Sequence, residues 1–368
     1  MQLDRLTVTD FKNIPAATLE FHPRLNGLLG RNGMGKSNLL DAIYTLSFTK
    51  SFAGVTDREL VRLGQPFFML RGEYTRRGFP EELSLGYVTG KRKSLKRKGK
   101  EYGRLAEHIG AFPLVMVSPR DTDLVRGPGS ERRRWIDMII SQGDAAYLDA
   151  LMRYNNALEQ RNRLLRDGHT DPTLMEVLEL TMASAADVIT AARQTNVARL
   201  AEIFSRRYAS MAGEHEVVGL AYTSELLVPG VTLHDILNRE RRHDMLVRHT
   251  TAGPHRDDIE MTLGCMNVRR TASEGQCKTF TIALRMAQYE FLAEATRLKP
   301  LLLLDDIFDK LDSERVSRII SLVTGPEFGQ IFITDTNRKH LDELLGPAGG
   351  SMKLWEVEGG CFEPIKPE

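Results

Sequence analysis

Residues Gly30-Arg31-Asn32-Gly33-Met34-Gly35-Lys36-Ser37 match the pattern G-x-x-x-x-G-K-[ST], and no other stretch constrains the fold as much. The pattern needs a strand before it and a helix after it. Only in the turn between the two can successive backbone N–H groups converge on phosphate oxygens. Both neighbours are legible. Residues 25 to 29 read as a short buried strand, and residues 38 to 46 read as a helix with Leu39, Leu40 and Ile43 on its apolar face. Gly30, Gly33 and Gly35 let the backbone approach an anion, with Asn32 and Asn38 beside them. Lys36 is long enough to reach the β- and γ-phosphates, the Ser37 hydroxyl can ligate Mg2+, and the helix directs its positive end at the bound group.

A second strong signal lies near the end of the chain. Leu301-Leu302-Leu303-Leu304 runs into Asp305-Asp306. A continuous apolar run predicts a strand covered on both faces in a parallel sheet, with ligands at its carboxyl end. Adjacent carboxylates there are costly without a positive partner. Asp305 is placed to hold Mg2+ through water, and Asp306 to orient or deprotonate an attacking water. The competing reading is a pair of helix-capping aspartates. Residues 330 to 335 predict a further strand ending at the same edge, where Thr334 or Asp335 either senses the terminal phosphate or caps the next helix. Ser273, Gly275 and Gln276 stand where a helix over residues 277 to 295 begins, with Phe280, Leu284, Ala287 and Phe291 on one face. Such a start is an anion site or an ordinary capped helix.

The remaining segments leave alternatives open. Residues 55 to 63 predict a short helix, and residues 67 to 74 and 83 to 88 paired strands in a mixed β layer. Lys91-Arg92-Lys93-Ser94-Leu95-Lys96-Arg97-Lys98-Gly99-Lys100 is the densest basic run in a chain whose net charge is +1. It is either a hairpin tip whose Lys91, Arg92, Lys93, Lys96, Arg97 and Lys98 meet DNA phosphates, or a solvated turn guarding an edge strand. Residues 114 to 117 predict a buried strand and residues 121 to 129 a loop. Arg132-Arg133-Arg134 opens a helix and is either a phosphate contact or a salt-bridged face.

Two long helices follow. Leu148, Leu151, Leu158 and Leu165 predict the apolar stripe of the first. Leu174, Val177, Leu178, Val188, Ile189, Leu200, Ile203 and Phe204 predict that of the second, over residues 173 to 211. The short link through Asp167-Gly168-His169 makes them antiparallel. In Gly253-Pro254-His255-Arg256-Asp257-Asp258, His255 with an aspartate is either an acid–base pair or part of a capped turn. The three cysteines fit neither a zinc spacing nor a disulfide framework. No apolar run approaches the ~20 residues of a membrane span, and residues 1 to 5 lack an apolar signal region. The expectation is a cytoplasmic protein.

The order of these motifs resembles an ABC-type ATPase head of SMC-like DNA repair proteins. Agreement is closer with the RecF family. It rests on Asp10-Phe11-Lys12-Asn13, the phosphate loop with Asn32 and Asn38, Ala42-Ile43-Tyr44, Lys50-Ser51-Phe52, and Ser118-Pro119 with Asp123-Leu124 and Gly127. It continues through Arg132-Arg133, Trp135 and Asp137, residues 253 to 258, Ser273 with Gly275-Gln276, Leu284 with Ala287-Gln288, and Leu303 with Asp305-Asp306. The resemblance implies an α/β head, with a mixed sheet around a central helix and a helical second lobe carrying a short antiparallel arm. The expected divisions are residues 1–115 and 296–368 for the ATPase lobe and 116–295 for the helical lobe. It further implies ATP and Mg2+ as cofactors, and a homodimer in which Ser273 and Gly275 of one protomer reach the ATP held by Lys36 of the other. It implies binding of duplex or gapped DNA, with RecO and RecR as partners in loading RecA onto SSB-coated single strands. Weak, DNA-stimulated ATP hydrolysis would act as a switch, with Lys36 and Asp306 as its catalytic residues. Asp309-Lys310-Leu311-Asp312 departs from the family's Ser-Glu-Leu-Asp, and Asp306 stands where many transport ATPases carry Glu, so slow hydrolysis is expected. The alternative from the residues alone is a monomeric P-loop kinase acting on a small molecule without Ser273. A nuclease would need an acidic metal-binding domain, which the sixty or so residues after Asp306 do not supply.

Overall fold

The computed structural model describes residues 1–168, 171–212, 216–307, 325–336 and 352–365, together with residues 318, 321 and 323. In chain order the first elements are β1 (Gln2–Phe11), β2 (Ile14–Glu20), β3 (Leu25–Leu29), α1 (Lys36–Phe48) and α2 (Asp57–Leu60). After them come β4 (Phe67–Arg76), β5 (Phe79–Val88), β6 (Ser94–Arg97), β7 (Lys100–Glu101) and β8 (Leu114–Val117). The middle holds α3 (Thr122–Arg126), α4 (Gly129–Gly143), α5 (Ala145–Asp167), α6 (Pro172–Ala212), β9 (Val218–Thr223) and α7 (Leu233–Val247). The rest are β10 (Asp258–Leu263), β11 (Met266–Asn267), α8 (Val268–Thr271), α9 (Glu274–Thr296), β12 (Leu301–Asp305), β13 (Ile331–Asp335), β14 (Met352–Glu358) and β15 (Cys361–Ile365). They form two compact units, Met1–Asp121 with Gln288–Glu368, and Thr122–Ala287. The expected divisions after residues 115 and 295 thus move to Asp121 and to Ala287, within α9.

In the first unit two six-stranded sheets share α1. One runs β2-β1-β4-β5-β6-β7 and every pairing in it is antiparallel. The mixed layer expected for residues 67 to 88 is therefore corrected. Short turns join β1 to β2, β4 to β5, β5 to β6 and β6 to β7, and such turns make antiparallel pairs. The other sheet runs β15-β14-β3-β13-β12-β8 and is parallel except at β15. Its interior strands β12 and β13 are buried at every residue, as the Leu run predicts. Helix α1 is buried around most of its circumference because it contacts strands of both sheets, which gives the mixed sheet around a central helix. The expected helix over residues 55 to 63 shrinks to the single turn of α2, opened by a Thr56–Glu59 capping box.

The second unit is built on the antiparallel α5–α6 pair, with the three-stranded sheet β11-β10-β9 beside it. Polar contacts bridge the helix pair, Arg161 to Glu179 and Arg193 to Tyr147. Sequence periodicity misplaces most of the α5 stripe and finds most of that of α6. On α5 the buried residues are Tyr147, Ala150, Tyr154, Ala157, Arg161 and Leu165, not Leu148, Leu151 and Leu158. On α6, Leu178, Ile189, Leu200, Ile203 and Phe204 are buried, while Leu174, Val177 and Val188 are exposed. The loop expected over residues 121 to 129 contains α3. The arginine run of α4 is the salt-bridged face. Arg132 forks onto Asp258 at 2.7 and 2.8 Å, Arg133 donates to the Asp257 carbonyl at 2.7 Å, and Arg134 pairs with Glu131 at 3.3 Å.

A candidate nucleotide site at the phosphate loop

Strand β3 ends at Leu29, and the loop of residues 30 to 35 turns the chain into α1. Gly35 has φ +116°, in the left-handed region that favours glycine. Gly30 is required by crowding instead, since a Cβ there would lie 2.4 Å from the Val357 carbonyl oxygen of β14. Lys36 opens α1 and folds back over the loop, donating to the carbonyls of Gly30 at 2.5 Å and Arg31 at 3.0 Å. Burial lowers its pKa, against the pull of Asp306, Asp305 and Asp335. Its ammonium is thus buried at the loop with carbonyl oxygens as hydrogen-bond partners and carboxylates nearby.

The carboxylates arrive on the parallel sheet. Asp305 pairs in register with Thr334, and Thr334 with Leu28, so the carboxyl ends of β12, β13 and β3 lie side by side. Asp305 Oδ1 accepts from the Ser37 hydroxyl at 2.8 Å and from the Thr334 hydroxyl at 2.8 Å. Burial raises its pKa, and the two hydroxyls oppose that rise. Asp306 follows with φ +49°, and its backbone N–H donates to Thr334 Oγ1 at 3.0 Å. A polar pocket of about 120 Å³ is lined by Asn32, Gly33, Gly35, Lys36, Ser37 and Asn38 from the loop and helix, and by Asp306 and Thr334 from the strand ends.

The donor set has the chemistry of a metal–nucleotide site. Loop amides, an ammonium and a helix start face the same pocket as a hydroxyl and an acidic pair. Ser37 and Asp305 already touch, as two ligands of one hard cation must nearly do, and their oxygens suit Mg2+.

Other residues singled out from the sequence fall elsewhere. Ser273, Gly275 and Gln276 belong to the other unit. There Ser273 Oγ accepts from the Gln276 N–H at 3.2 Å and Gln276 Oε1 accepts from the Ser273 N–H at 3.0 Å, a capping box at the start of α9. Ser273 remains exposed. The basic run is not one hairpin tip. It is strand β6, paired with β5 on one side and with the two-residue edge strand β7 on the other, together with the turns at either end, and it divides by environment. Lys93 pairs with Asp57 at 2.6 Å and also donates to the Thr49 carbonyl. Arg97 forks onto Glu81 at 3.0 and 2.8 Å and lies over the Phe112 ring. Lys98 approaches Glu81 at 3.4 Å. Lys91, Arg92 and Lys96 are exposed.

His255 takes the turn reading. Its ring nitrogens bond Tyr154 Oη at 2.7 Å and the Thr250 carbonyl at 3.1 Å, and burial lowers its pKa to about 4. Asp257 bonds Tyr222 and Arg193. Asp309-Lys310-Leu311-Asp312 lies outside the described residues. Sequence reasoning missed the bridging role of Thr334, which only the β12–β13 register reveals. It also missed Gly360 and the loop contact of Asn13, which the sequence singled out only within Asp10-Phe11-Lys12-Asn13.

Comparison with known proteins gives the family and the fold. The RecF/RecN/SMC N terminal domain model matches residues 2–65. A DNA replication and repair protein RecF from Parabacteroides distasonis is 46% identical over 366 residues, covering 100% of both chains. Another, from Phocaeicola vulgatus, is 47% identical over 363 residues, covering 98% of this chain and 97% of that one. Among solved structures, the recombination mediator protein RecF with ATP in the RecFOR pathway superposes with a TM-score of 0.89 at 28% identity, covering 99% and 98% of the two chains. The Smc head domain with a coiled coil and joint from Pyrococcus yayanosii shares the fold alone, at TM-score 0.60 and 13% identity over 100% and 97% of the chains. With full-length relatives far above 30% identity and a matching head fold, the chain belongs to the RecF family of DNA replication and repair proteins.

Proposed function

We propose that this protein binds ATP with Mg2+ at the phosphate loop and uses it to hold together a DNA-binding homodimer. One observation carries the nucleotide part: the Ser37 and Thr334 hydroxyls meet on a single oxygen of Asp305, beside the buried Lys36 and above the loop amides. Lys36 exchanges its carbonyl partners for phosphate oxygens, and Gly33 and Gly35 offer backbone N–H groups. Ser37 and Asp305 hold the metal, which when bound neutralises phosphate charge. Asp306, one residue further on, orients the attacking water. Its shorter side chain relative to Glu makes it a slow base, which suits a timer more than a motor.

Ser273 and Gly275 of a second protomer complete the site by capping the terminal phosphate with a hydroxyl and the start of α9. The exposure of Ser273 supports this role. The paired protomers then present basic surface to duplex DNA at gaps or junctions, and hydrolysis releases it. By family membership RecO and RecR are the partners, in loading RecA onto SSB-coated single strands in the cytoplasm, and DNA stimulates the weak ATPase.

Size-exclusion chromatography with light scattering, with and without ATP, tests the reading. The wild type is expected to dimerise with ATP. Lys36→Met abolishes that response, and Asp306→Asn prolongs the dimer. A wild type that turns over ATP as a monomer, indifferent to Ser273→Ala, overturns the dimer reading in favour of a monomeric P-loop enzyme.

A further inference from the structure

The crown of the phosphate loop is gripped from outside by two turns. In the β1–β2 turn, Asn13 Nδ2 donates to the Met34 carbonyl at 3.3 Å, and Asn13 Oδ1 accepts from Asn38 Nδ2 at 2.8 Å. In the β14–β15 hairpin, the Gly360 N–H donates to the same Met34 carbonyl at 2.8 Å. The fit is close. A Cβ on Gly35 would lie 3.0 Å from both amide atoms of Asn13, and one on Gly360 would lie 2.3 Å from the Asn13 carbonyl oxygen.

Asn13 is itself anchored. The neighbouring Lys12 pairs with the buried Asp41 at 2.5 Å, and its N–H donates to the Leu60 carbonyl at 2.7 Å. Asp41 in turn accepts from Ser51 Oγ and from the Phe52 N–H, each at 2.6 Å. The turn that carries Asn13 therefore cannot drift without breaking a buried ion pair.

This grip has a directional consequence. In a planar trans peptide the C=O and the following N–H point in opposite directions. Holding the Met34 carbonyl toward Asn13 and Gly360 turns the Gly35 N–H the other way, and Gly35 lines the pocket. Glycine at φ +116° is conformationally permissive, so this peptide needs an external hold to keep one orientation. We propose that Asn13 is a positioning residue for phosphate binding: by donating to the Met34 carbonyl it presets the Gly35 N–H as an anion donor, with the Gly360 N–H as the second clamp. The proposal rests on the nucleotide reading above, and the ligand class is a nucleoside di- or triphosphate.

Calorimetric titration of the full chain with ADP and with ATP, alongside steady-state hydrolysis, tests it. Asn13→Ala is expected to weaken both nucleotides by roughly five- to tenfold, the scale of one missing hydrogen bond in a preorganised site. KM rises accordingly while kcat changes little, because Asp306 is untouched. Asn13→Asp is the sharper variant. It keeps the size and the acceptor for Asn38 but replaces the donor facing Met34 with a second acceptor, so affinity falls at least as far as for Ala. Asn13→Ser shortens the reach without adding charge and gives the same loss should the other variants fold poorly. Wild-type affinity in Asn13→Asp overturns the proposal, since Asn13 would then only fill space. So does a fall in kcat at constant KM. A wild type that binds neither nucleotide refutes the ATP reading itself, an outcome distinct from both.

Discussion

Asp305 is a residue whose position disfavours its own charge. Burial raises its pKa above the ordinary 3.8, and hydrogen bonds from Ser37 and Thr334 recover only part of the loss. The sign of the pH dependence follows. Between the unfolded and the higher folded pKa the native state holds the proton that the unfolded chain has released. This carboxyl's contribution to stability therefore falls as pH rises through that window, from about 3.8 upward. Asp305→Asn keeps the shape and removes the charge. The nucleotide-free variant is expected to melt at a higher temperature than the wild type at neutral pH, and the gain shrinks as pH falls toward the ordinary carboxylate range. Mg2+-dependent nucleotide binding disappears at the same time. Melting curves across that range check this, and an Asn variant no more stable at neutral pH counts against a site maintained at the expense of the fold. Lys36 obeys the same logic with the opposite charge, its pKa lowered by burial at the loop.

Among the elements, the α5–α6 pair shows where sequence periodicity stops informing. Arg161 is fully buried and lies between two fully buried acids, bonding Glu179 at 2.9 and 3.0 Å and Asp244 of α7 at 2.8 Å, with the Thr250 hydroxyl at 2.7 Å. Arg161→Ala leaves those carboxylates without this partner and is expected to cost on the order of 3–5 kcal/mol. Adding Asp244→Asn to it restores part of the stability. Urea unfolding midpoints measure both, and a cost under about 1 kcal/mol, the worth of an exposed pair, would mean that water reaches the cluster. The buried face of α5 is built from Tyr147, Tyr154 and Arg161 as well as alanines, so a search for recurring leucines selects its flanks. The leucine run of β12 was legible for the converse reason, because a strand covered on both faces has no polar positions to confuse it. The loop and its helix were legible because their residues are contiguous. Thr334, Asn13 and Gly360 act through strand register and turn packing, and neither leaves a local pattern in the chain.

At the scale of the whole molecule, a net charge of +1 gives no general field for nucleic acid. Attraction to DNA must come from local patches, and the basic run of residues 91 to 100, through β6 to the edge strand β7, is the densest. Its residues are not equivalent. Lys93 and Arg97 hold the first unit together through Asp57 and Glu81, so reversing them acts through stability. Lys91, Arg92 and Lys96 are exposed, and reversing these three to Glu tests the surface without touching those ion pairs. Every DNA phosphate that is no longer neutralised is expected to reduce the slope of log K against log salt by about 0.9, so the three reversals together flatten it by roughly 2.7 for each protomer on the duplex. If ATP joins two protomers on one duplex, the flattening doubles with ATP and stays single without it. Fluorescence anisotropy on a labelled duplex across a salt series reads both numbers. An unchanged slope returns Lys91, Arg92 and Lys96 to the role of a solvated turn and strand that guard the sheet edge, and an equal change with and without ATP separates DNA binding from nucleotide-driven pairing.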